Sequence, residues 1–405
     1  MAVFDNMNFT YSPGVAPSVV EYHNKSLLRN VKPKLIWERD MQHIPLPAHN
    51  GRRVKFRRYV PFKACTEPLA EGITPPGQEL QMTEMFATIL PYGRHVELTD
   101  EMDWAMLDDM HRITNEALSD QAALTLDTLA RDAYCAGLNV RYANNKTARS
   151  DIAATDKLTY NDIKLAVRDL KKRMAKKFPD GFYHAFVDAD TVFDLTTISE
   201  WIDVAKYQDK RKIETGELGC LAGVKFFETQ NPKVFAKESY LYGTTASVAV
   251  TANTLDETKH TIKITVPSDR TQADPIIRAL TGKLVDLSGA GATETVYIEN
   301  VAFDGTVTLR WNPQMTVGAG VTIVPTGAGA SDADVHCTVI YGQDYAGCVS
   351  LEGGKNAQVI IKPVGSSGAL DPINQRGTVA WKVKGVCYTP IQDAFAVRIE
   401  HGATA

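Results

Sequence analysis

The residues best suited to chemistry are few, and their spacing does not bring them together. Asp188-Ala-Asp190 has the spacing by which two carboxylates can share a divalent cation, but it follows the apolar run FYHAFV and opens a helical pattern. At such a place an aspartate accepts the orphan amide hydrogens of the first turn, and capping by Asp190 accounts for the motif without a metal. Glycine clusters at 289–291, 318–320 and 327–329 lie among strand-like runs, not between a strand and a helix as a dinucleotide loop requires. The nine histidines show no metal-ligand spacing, and His184, between Phe182 and Phe186, reads as a packed side chain. Six scattered cysteines include no C-x-x-C pair and read as reduced thiols. Neither G-x-S-x-G nor H-E-x-x-H occurs. These residues point to no catalytic centre, metal or cofactor.

Charge is better organised than chemistry. Along GRRVKFRRYVPF (51–62), strand alternation places Arg53, Lys55 and Arg57 on one face with Tyr59, and Val54, Phe56 and Val60 on the other. The stretch 97–137 carries Asp103, Asp108, Asp109, Glu116, Asp120 and Asp127 against only Arg112 and Arg131. A basic strand and an acidic segment in one chain suit contact between copies, with Arg53, Lys55 and Arg57 meeting Asp108, Asp109 and Glu116 of a neighbour. A second basic element, 161–177, holds Lys164, Arg168, Lys171, Lys172 and Lys176, with no interleaved aromatics, and suits diffuse contact with a nucleic-acid backbone.

These charges sit on recognisable elements. Met106, Met110, Ile113, Ala117, Leu118, Ala122, Leu126, Leu129 and Ala133 recur at helical intervals. One helix over 99–137, capped by Thr99 or Asp100 and closed by Gly137 in the left-handed conformation, would be on the order of 50 Å long. Before it, 51–62 and 83–99 read as two strands joined by a loop rich in proline and glycine, a pair too small to be stable alone. Residues 1–45 suit an arm lying on something else, with a helical pattern only at 17–29. A basic helix over 159–178, a strand at 182–187 and a helix over 192–207 follow.

Between about 237 and 332 short threonine- and valine-rich runs indicate an all-β module. The flanks read as strands of one parent sheet, so the module is an insertion that can bud from one face without disturbing the parent core. A sandwich or barrel is expected, with Val248, Ile262, Ile264, Val296, Ile298, Val307, Leu309 and Ile323 inside. It has no basic stripe, its acidic residues roughly offsetting its lysines and arginines.

Composition limits the alternatives. The chain has 405 residues and a net charge of −4, which excludes a generally basic nucleic-acid binder. No apolar run is long enough to cross a membrane, and the first residues have neither part of a signal peptide, so folding in a cytoplasm is expected.

LPAHNGRRVKFRRYVPF with LAEGITPPGQ, YGRHVELTDEMDW, GELGCLAGVKFFETQNPKVF, YGQDYAGCVSLEGG, VIIKPVGSSGALDPINQRGTVAWK and DAFAVRIE occur in an order and spacing that resemble the major capsid proteins typified by coliphage N-four. That resemblance covers nearly the whole chain except about 237–332. It implies an α+β fold of the Hong Kong 97 type: an N-terminal arm (1–45), an extended loop (46–98), a spine helix with part of a peripheral domain (99–180), an axial domain (181–236 and 333–405, with returning peripheral strands) and the inserted β domain. It further implies a non-enzymatic role in the virion, with the chain assembled in the host cytoplasm as pentamers and hexamers of an icosahedral head around double-stranded DNA. Scaffolding, portal and decoration proteins are the implied further partners. A cellular nanocompartment shell of the same fold is an alternative, and a secreted β-rich glycan-binding protein or hydrolase a more distant one.

Overall fold

A computed structural model of the chain describes residues 36–404 other than 48–50, 60–61, 63, 67, 69–73, 75–76, 106–109, 199–216, 239, 242–244, 252–254, 268, 290–291, 318–319, 352–357, 365–372 and 374. The helical pattern at 17–29 and the second half of the one expected over 192–207 therefore lie outside the described residues.

The chain opens with β1 (Gln42–Leu46), the hairpin β2 (Arg53–Tyr59) and β3 (Met82–Thr88), then β4 (Leu90–Thr99), α1 (Asp100–Ala105) and α2 (Met110–Cys135). Next come β5 (Val140–Tyr142), α3 (Tyr160–Lys172), β6 (Tyr183–Val187), α4 (Ala189–Thr196), β7 (Glu217–Leu221), β8 (Val224–Glu228) and β9 (Val234–Phe235). The inserted segment holds β10 (Val248–Ala249), β11 (Thr261–Lys263), α5 (Arg270–Leu280), β12 (Leu284–Gly289), β13 (Ala292–Val301), β14 (Thr306–Leu309) and β15 (Thr322–Val324). The chain ends with β16 (Val335–Tyr341), β17 (Ala346–Leu351), β18 (Gln358–Lys362), β19 (Arg376–Pro390) and β20 (Ala396–His401).

The body is built on a seven-stranded mixed sheet in the order β5-β20-β16-β6-β8-β7, with β9 also on β16. Strand alternation gives it two apolar faces. Val335, Cys337, Val339 and Tyr341 of β16 meet Ala130, Ala133 and Tyr134 of α2, while Ile340 meets Ile163, Ala166 and Leu170 of α3 on the other side. Being covered on both faces, β6 is buried along its whole length. A second sheet runs β1-β17-β19-β18, with β4 also on β19. The fifteen-residue β19 presents Val379, Trp381 and Val383 to α2, and Trp381 donates its indole N–H to Gln121 Oε1 at 3.0 Å.

Residues 36–45, the described end of the expected arm, pack against this body. Trp37 is buried against Phe186, ring centroids 4.5 Å apart, and its backbone N–H is accepted by Asp127 Oδ1 at 3.1 Å. Asp127 thus points inward and is no part of an acidic surface; burial raises its pKa despite the hydrogen bonds from Asn231 and Trp37.

In the inserted segment, β10-β15-β12-β13-β14-β11 form an antiparallel run. The bridge Val250↔Ile264 joins its two ends and closes it into a barrel, which removes exposed sheet edges. All eight expected core residues are buried inside. The segment is not wholly β, however: α5 is a helix, capped by Asp269 accepting from Thr271 N at 3.0 Å, with Ala273, Ile276, Ile277 and Leu280 at helical intervals. Val234 and Phe235 of β9 pair with His336 and Val335 of β16, so the segment leaves and re-enters the parent sheet on adjacent strands.

The barrel is less separable from the body than expected. Its Leu284 and Tyr297 belong to the main core, and a buried ionic junction ties it in. Arg149 grips Glu400 through Nε at 2.7 Å and Nη2 at 2.8 Å, reaches Asp286 of β12 at 3.4 Å and donates to Thr295 of β13 at 2.9 Å. Arg398 pairs with Glu400 at 3.0 Å. Burial alone would raise the pKa of Glu400, but the guanidiniums of Arg398 and Arg149 bring it below the usual carboxylate value. Removing one partner of such a network leaves a buried charge uncompensated. Arg149→Met is expected to cost about 3–5 kcal/mol, against about 1 kcal/mol for Thr295→Val, which loses a single hydroxyl; denaturant unfolding of both variants checks this, and equal costs contradict it.

Candidate assembly surface

The hairpin β2–β3 pairs with no further strand among the described residues. Its base is seated in a small apolar cluster, in which Ala87 and Ile89 pack with Leu46 and Val349; Gly385 is opposite, where a Cβ would lie 2.3 Å from Ile89 Cγ2. Val54 and Phe56 are half-buried against this cluster, while Arg53, Lys55, Arg57, Tyr59 and Met82 are exposed. The guanidinium of Arg53 lies over the Phe86 ring at 3.9 Å. Lys55 is paired with Glu84 of the opposite strand. Arg57 is exposed and sits opposite Glu84 in the ladder. The three basic residues thus share a face, as alternation requires, but Lys55 is already balanced within the hairpin.

The acidic helix is described as α1 and α2. Thr99 caps α1, its Oγ1 accepting from Met102 N at 3.3 Å. Asp108 and Asp109 lie outside the described residues. Glu116 is exposed and pairs with Arg112 one turn earlier at 3.4 Å. Gly137 does not close α2 by a left-handed turn, since its φ is not positive. Its need for glycine is steric: a Cβ there would stand 3.0 Å from Tyr345 Oη and 3.1 Å from Asp393 Oδ1.

The basic helix α3 begins at a reciprocal cap. The Thr159 hydroxyl oxygen accepts from Asp162 N, and the Asp162 carboxylate accepts from Thr159 N. It ends at Lys172, not near 177. Met174 adopts the left-handed conformation at φ 55°; Ala175 N–H reaches Leu170 O at 3.0 Å and Met174 N–H reaches Lys171 O at 3.1 Å. This is a Schellman closure with methionine where glycine is usual, and it sets buried Ala175 against the core. Lys164, Arg168, Lys171, Lys172 and Lys176 are all exposed. An aromatic does accompany them: the Lys164 ammonium lies 4.5 Å from the Tyr160 ring centroid. Arg168 stands 3.6 Å from Asp169, whose carboxylate is held more closely by Arg141 at 2.6 Å. The other four make no ion pair with a described residue.

The cap of α4 is Asp188, two residues before the expected Asp190: its Oδ1 accepts from Thr191 N at 3.2 Å and its Oδ2 from His336. Asp188, Asp190 and His336 offer potential ligand atoms within 4.8 Å of one another, but capping and the histidine contact occupy both Asp188 oxygens. His184 is buried between Asp40 at 2.7 Å and Asp180 at 3.0 Å and stacks on Phe178 at 3.9 Å. Both carboxylates take pKa values below the usual range: burial works against this and is outweighed by the bonds to His184. This cluster fastens residues 36–41 to the sheet.

No protein-family model and no curated protein matches the chain at the level of sequence. Solved structures match it by fold. The chain is similar to the capsid of Ralstonia phage GP4 (TM-score 0.57, 12% identity, 98% of this chain and 99% of that one). It is also similar to the acid-stable capsid of Helicobacter pylori bacteriophage KHP30 (TM-score 0.58, 9% identity, 98% and 99%) and to the capsid of cyanophage P-SCSP1u (TM-score 0.54, 11% identity, 98% and 97%). The fold is therefore that of phage capsid proteins, and the expected α+β class holds.

Because left-handed backbone strains any residue with a Cβ, Met174→Gly is expected to stabilise the chain by about 1 kcal/mol without moving the exposed lysines. Thermal unfolding checks this; a lower midpoint would show that the methionine side chain contributes more than the strain removes.

Proposed function

We propose that this chain is a major capsid protein that self-assembles, as pentamers and hexamers, into the icosahedral head enclosing double-stranded phage DNA. The observation that carries the reading is the end-to-end correspondence with phage capsid structures, covering 98% of this chain and 97–99% of each of the three named relatives. The hairpin supports it independently, since among the described residues it pairs with no further strand and exposes Arg53, Lys55, Arg57 and Tyr59. In this assignment 1–45 is the N-terminal arm, 46–98 the extended loop, 99–180 the spine helix with part of the peripheral domain, and 181–236 with 333–405 the axial domain and returning strands. The segment 237–332 is the insertion, facing outward. Scaffolding, portal and decoration proteins would be partners during and after assembly in the host cytoplasm. Electron microscopy of the purified protein tests the whole reading: shells or capsomers support it, and a stable monomer that forms neither overturns it.

Within the shell, the Arg53/Lys55/Arg57 face would dock on the acidic helix of a neighbour near Asp108, Asp109 and Glu116. Single exposed ion pairs contribute only about 0–1 kcal/mol, but repetition around a capsomer sets register and partner choice. Since Lys55 is balanced by Glu84, Arg53→Glu with Arg57→Glu is expected to block assembly of a folded subunit, and Lys55→Ala to leave it nearly intact. Normal shells from the double variant would refute the docking.

The exposed face of α3 is assigned to the interior, where Lys164, Arg168, Lys171, Lys172 and Lys176 would offset part of the repulsion of packaged DNA through diffuse phosphate contacts. Replacing Lys171, Lys172 and Lys176 by glutamate is expected to leave empty shells unaltered and reduce DNA retention, measured by sedimentation of filled particles. A shell reconstruction with these lysines outside contradicts the assignment.

A further inference from the structure

Where the hairpin leaves the body, the outer edge of β3 is not bare. Thr88 N–H donates to Glu299 Oε1 at 2.9 Å, and Phe86 O accepts from Arg310 Nη1 at 2.6 Å. Residues 86 and 88 direct their backbone groups to the same side of an extended strand. One carboxylate and one guanidinium therefore supply the acceptor and donor that a further strand would have supplied. Both side chains belong to the barrel: Glu299 lies on β13, Arg310 directly follows β14, and they are 7% and 3% exposed. Their charges face each other at 3.9 Å. Above this contact the hairpin, the barrel and the loop 391–394 line an open cleft of about 620 Å³ that includes Phe56, Phe86, Trp311 and Ile391.

We propose that the inserted barrel sets the angle of its own subunit's hairpin, with Glu299 and Arg310 as positioning residues that clamp the β3 edge. The barrel is itself fastened to the body through Arg149, Asp286 and Thr295. The hairpin base is thus held on one side by the apolar seat of Ala87 and Ile89 and on the other by the clamp. An apolar seat is non-directional and permits rotation; two charged hydrogen bonds to neighbouring backbone groups fix direction. Resting on the assembly reading above, this gives the insertion a role inside the subunit: it determines the direction in which the hairpin reaches a neighbour, and so the uniformity of the particles.

The test separates the clamp from the assembly reading by using two measurements. In the unassembled full-length chain, hydrogen exchange across 82–90 reports the clamp directly. Glu299→Leu and Arg310→Met are expected to speed exchange there on the order of tenfold or more, the scale of a lost charged hydrogen bond. Glu299→Gln, which keeps an oxygen acceptor for Thr88 N–H, is expected to stay close to the parent chain. Unaltered exchange at 273–309 shows that the barrel itself remains folded in the variants. Electron microscopy then reports particle size: the clamp variants are expected to give a broad mixture of diameters and open sheets, and Glu299→Gln uniform shells. Unchanged exchange at 82–90, or uniform shells from a chain whose hairpin has loosened, overturns the proposal. If the parent chain forms no particles at all, the assembly reading fails, while the exchange result still decides whether the clamp exists.

Discussion

The structure turns on one buried junction of four charges. Glu400, with no exposed surface, sits at the meeting point of Arg149, Arg398 and, through Arg149, Asp286. Two cations and two anions leave no net charge, which makes deep burial tolerable; any three of them would not be. The four residues come from the segment after β5, the last strand of the body and the first long strand of the barrel. The Arg149 guanidinium also lies 3.7 Å over the ring of Phe235, on the strand from which the barrel departs. Such networks contribute less to stability than their contact distances suggest, because desolvation offsets much of the attraction. Their strength is directional: a bidentate guanidinium accepts one arrangement of its partners. This junction orients the barrel on the body, and the arrangement at the hairpin depends on that orientation.

Much of the layering was legible in the sequence, because it follows from periodicity. The alternation in VHCTVIY and in GTVAWKV places one set of side chains towards α2, and the small residues of α2 at 122, 130 and 133 allow close approach to both sheets. The barrel core was readable for the same reason. The errors have physical causes. The helix over 270–280 was hidden by Pro275 and by threonine-rich neighbours, although Asp269 and the spacing of Ala273, Ile276, Ile277 and Leu280 carry a usable signal. The basic helix was extended past 172 because lysines favour helices, whereas the left-handed Met174 that ends it has no residue signature. Gly137 was assigned a torsional role and has a steric one, which depends on Tyr345 and Asp393, distant in sequence.

The candidate site was legible only by charge sign. Pattern placed Arg53, Lys55 and Arg57 on one face, but it could not show that Glu84 already balances Lys55, since register is set by the fold. In sequence Asp127 reads as one of the helix's acidic residues; in the structure it is a buried acceptor for Trp37 and Asn231. Glu299 reads only as one of the acids that offset the basic residues of the inserted segment, and Arg310 carries no signal of a contact with β3. In sequence they are an acid and a base among alternating strand residues; their meaning appears only when the barrel is brought against β3, more than two hundred residues earlier in the chain.

The same comparison explains how capsid structures at 9–12% identity can align over nearly the whole chain. What the layers require is alternation and small residues where α2 crosses the sheets, and many sequences meet those requirements. What they do not require is any given ionic pair. The junction at Glu400 and the clamp at Glu299 and Arg310 lie where this chain's insertion meets its body and hairpin. There, geometry is determined by hydrogen-bond direction, since apolar packing alone leaves the angle between units open. A fold that tolerates insertions gains a place at which such pairs can adjust how its own units are set against one another, without altering the layers that hold it together.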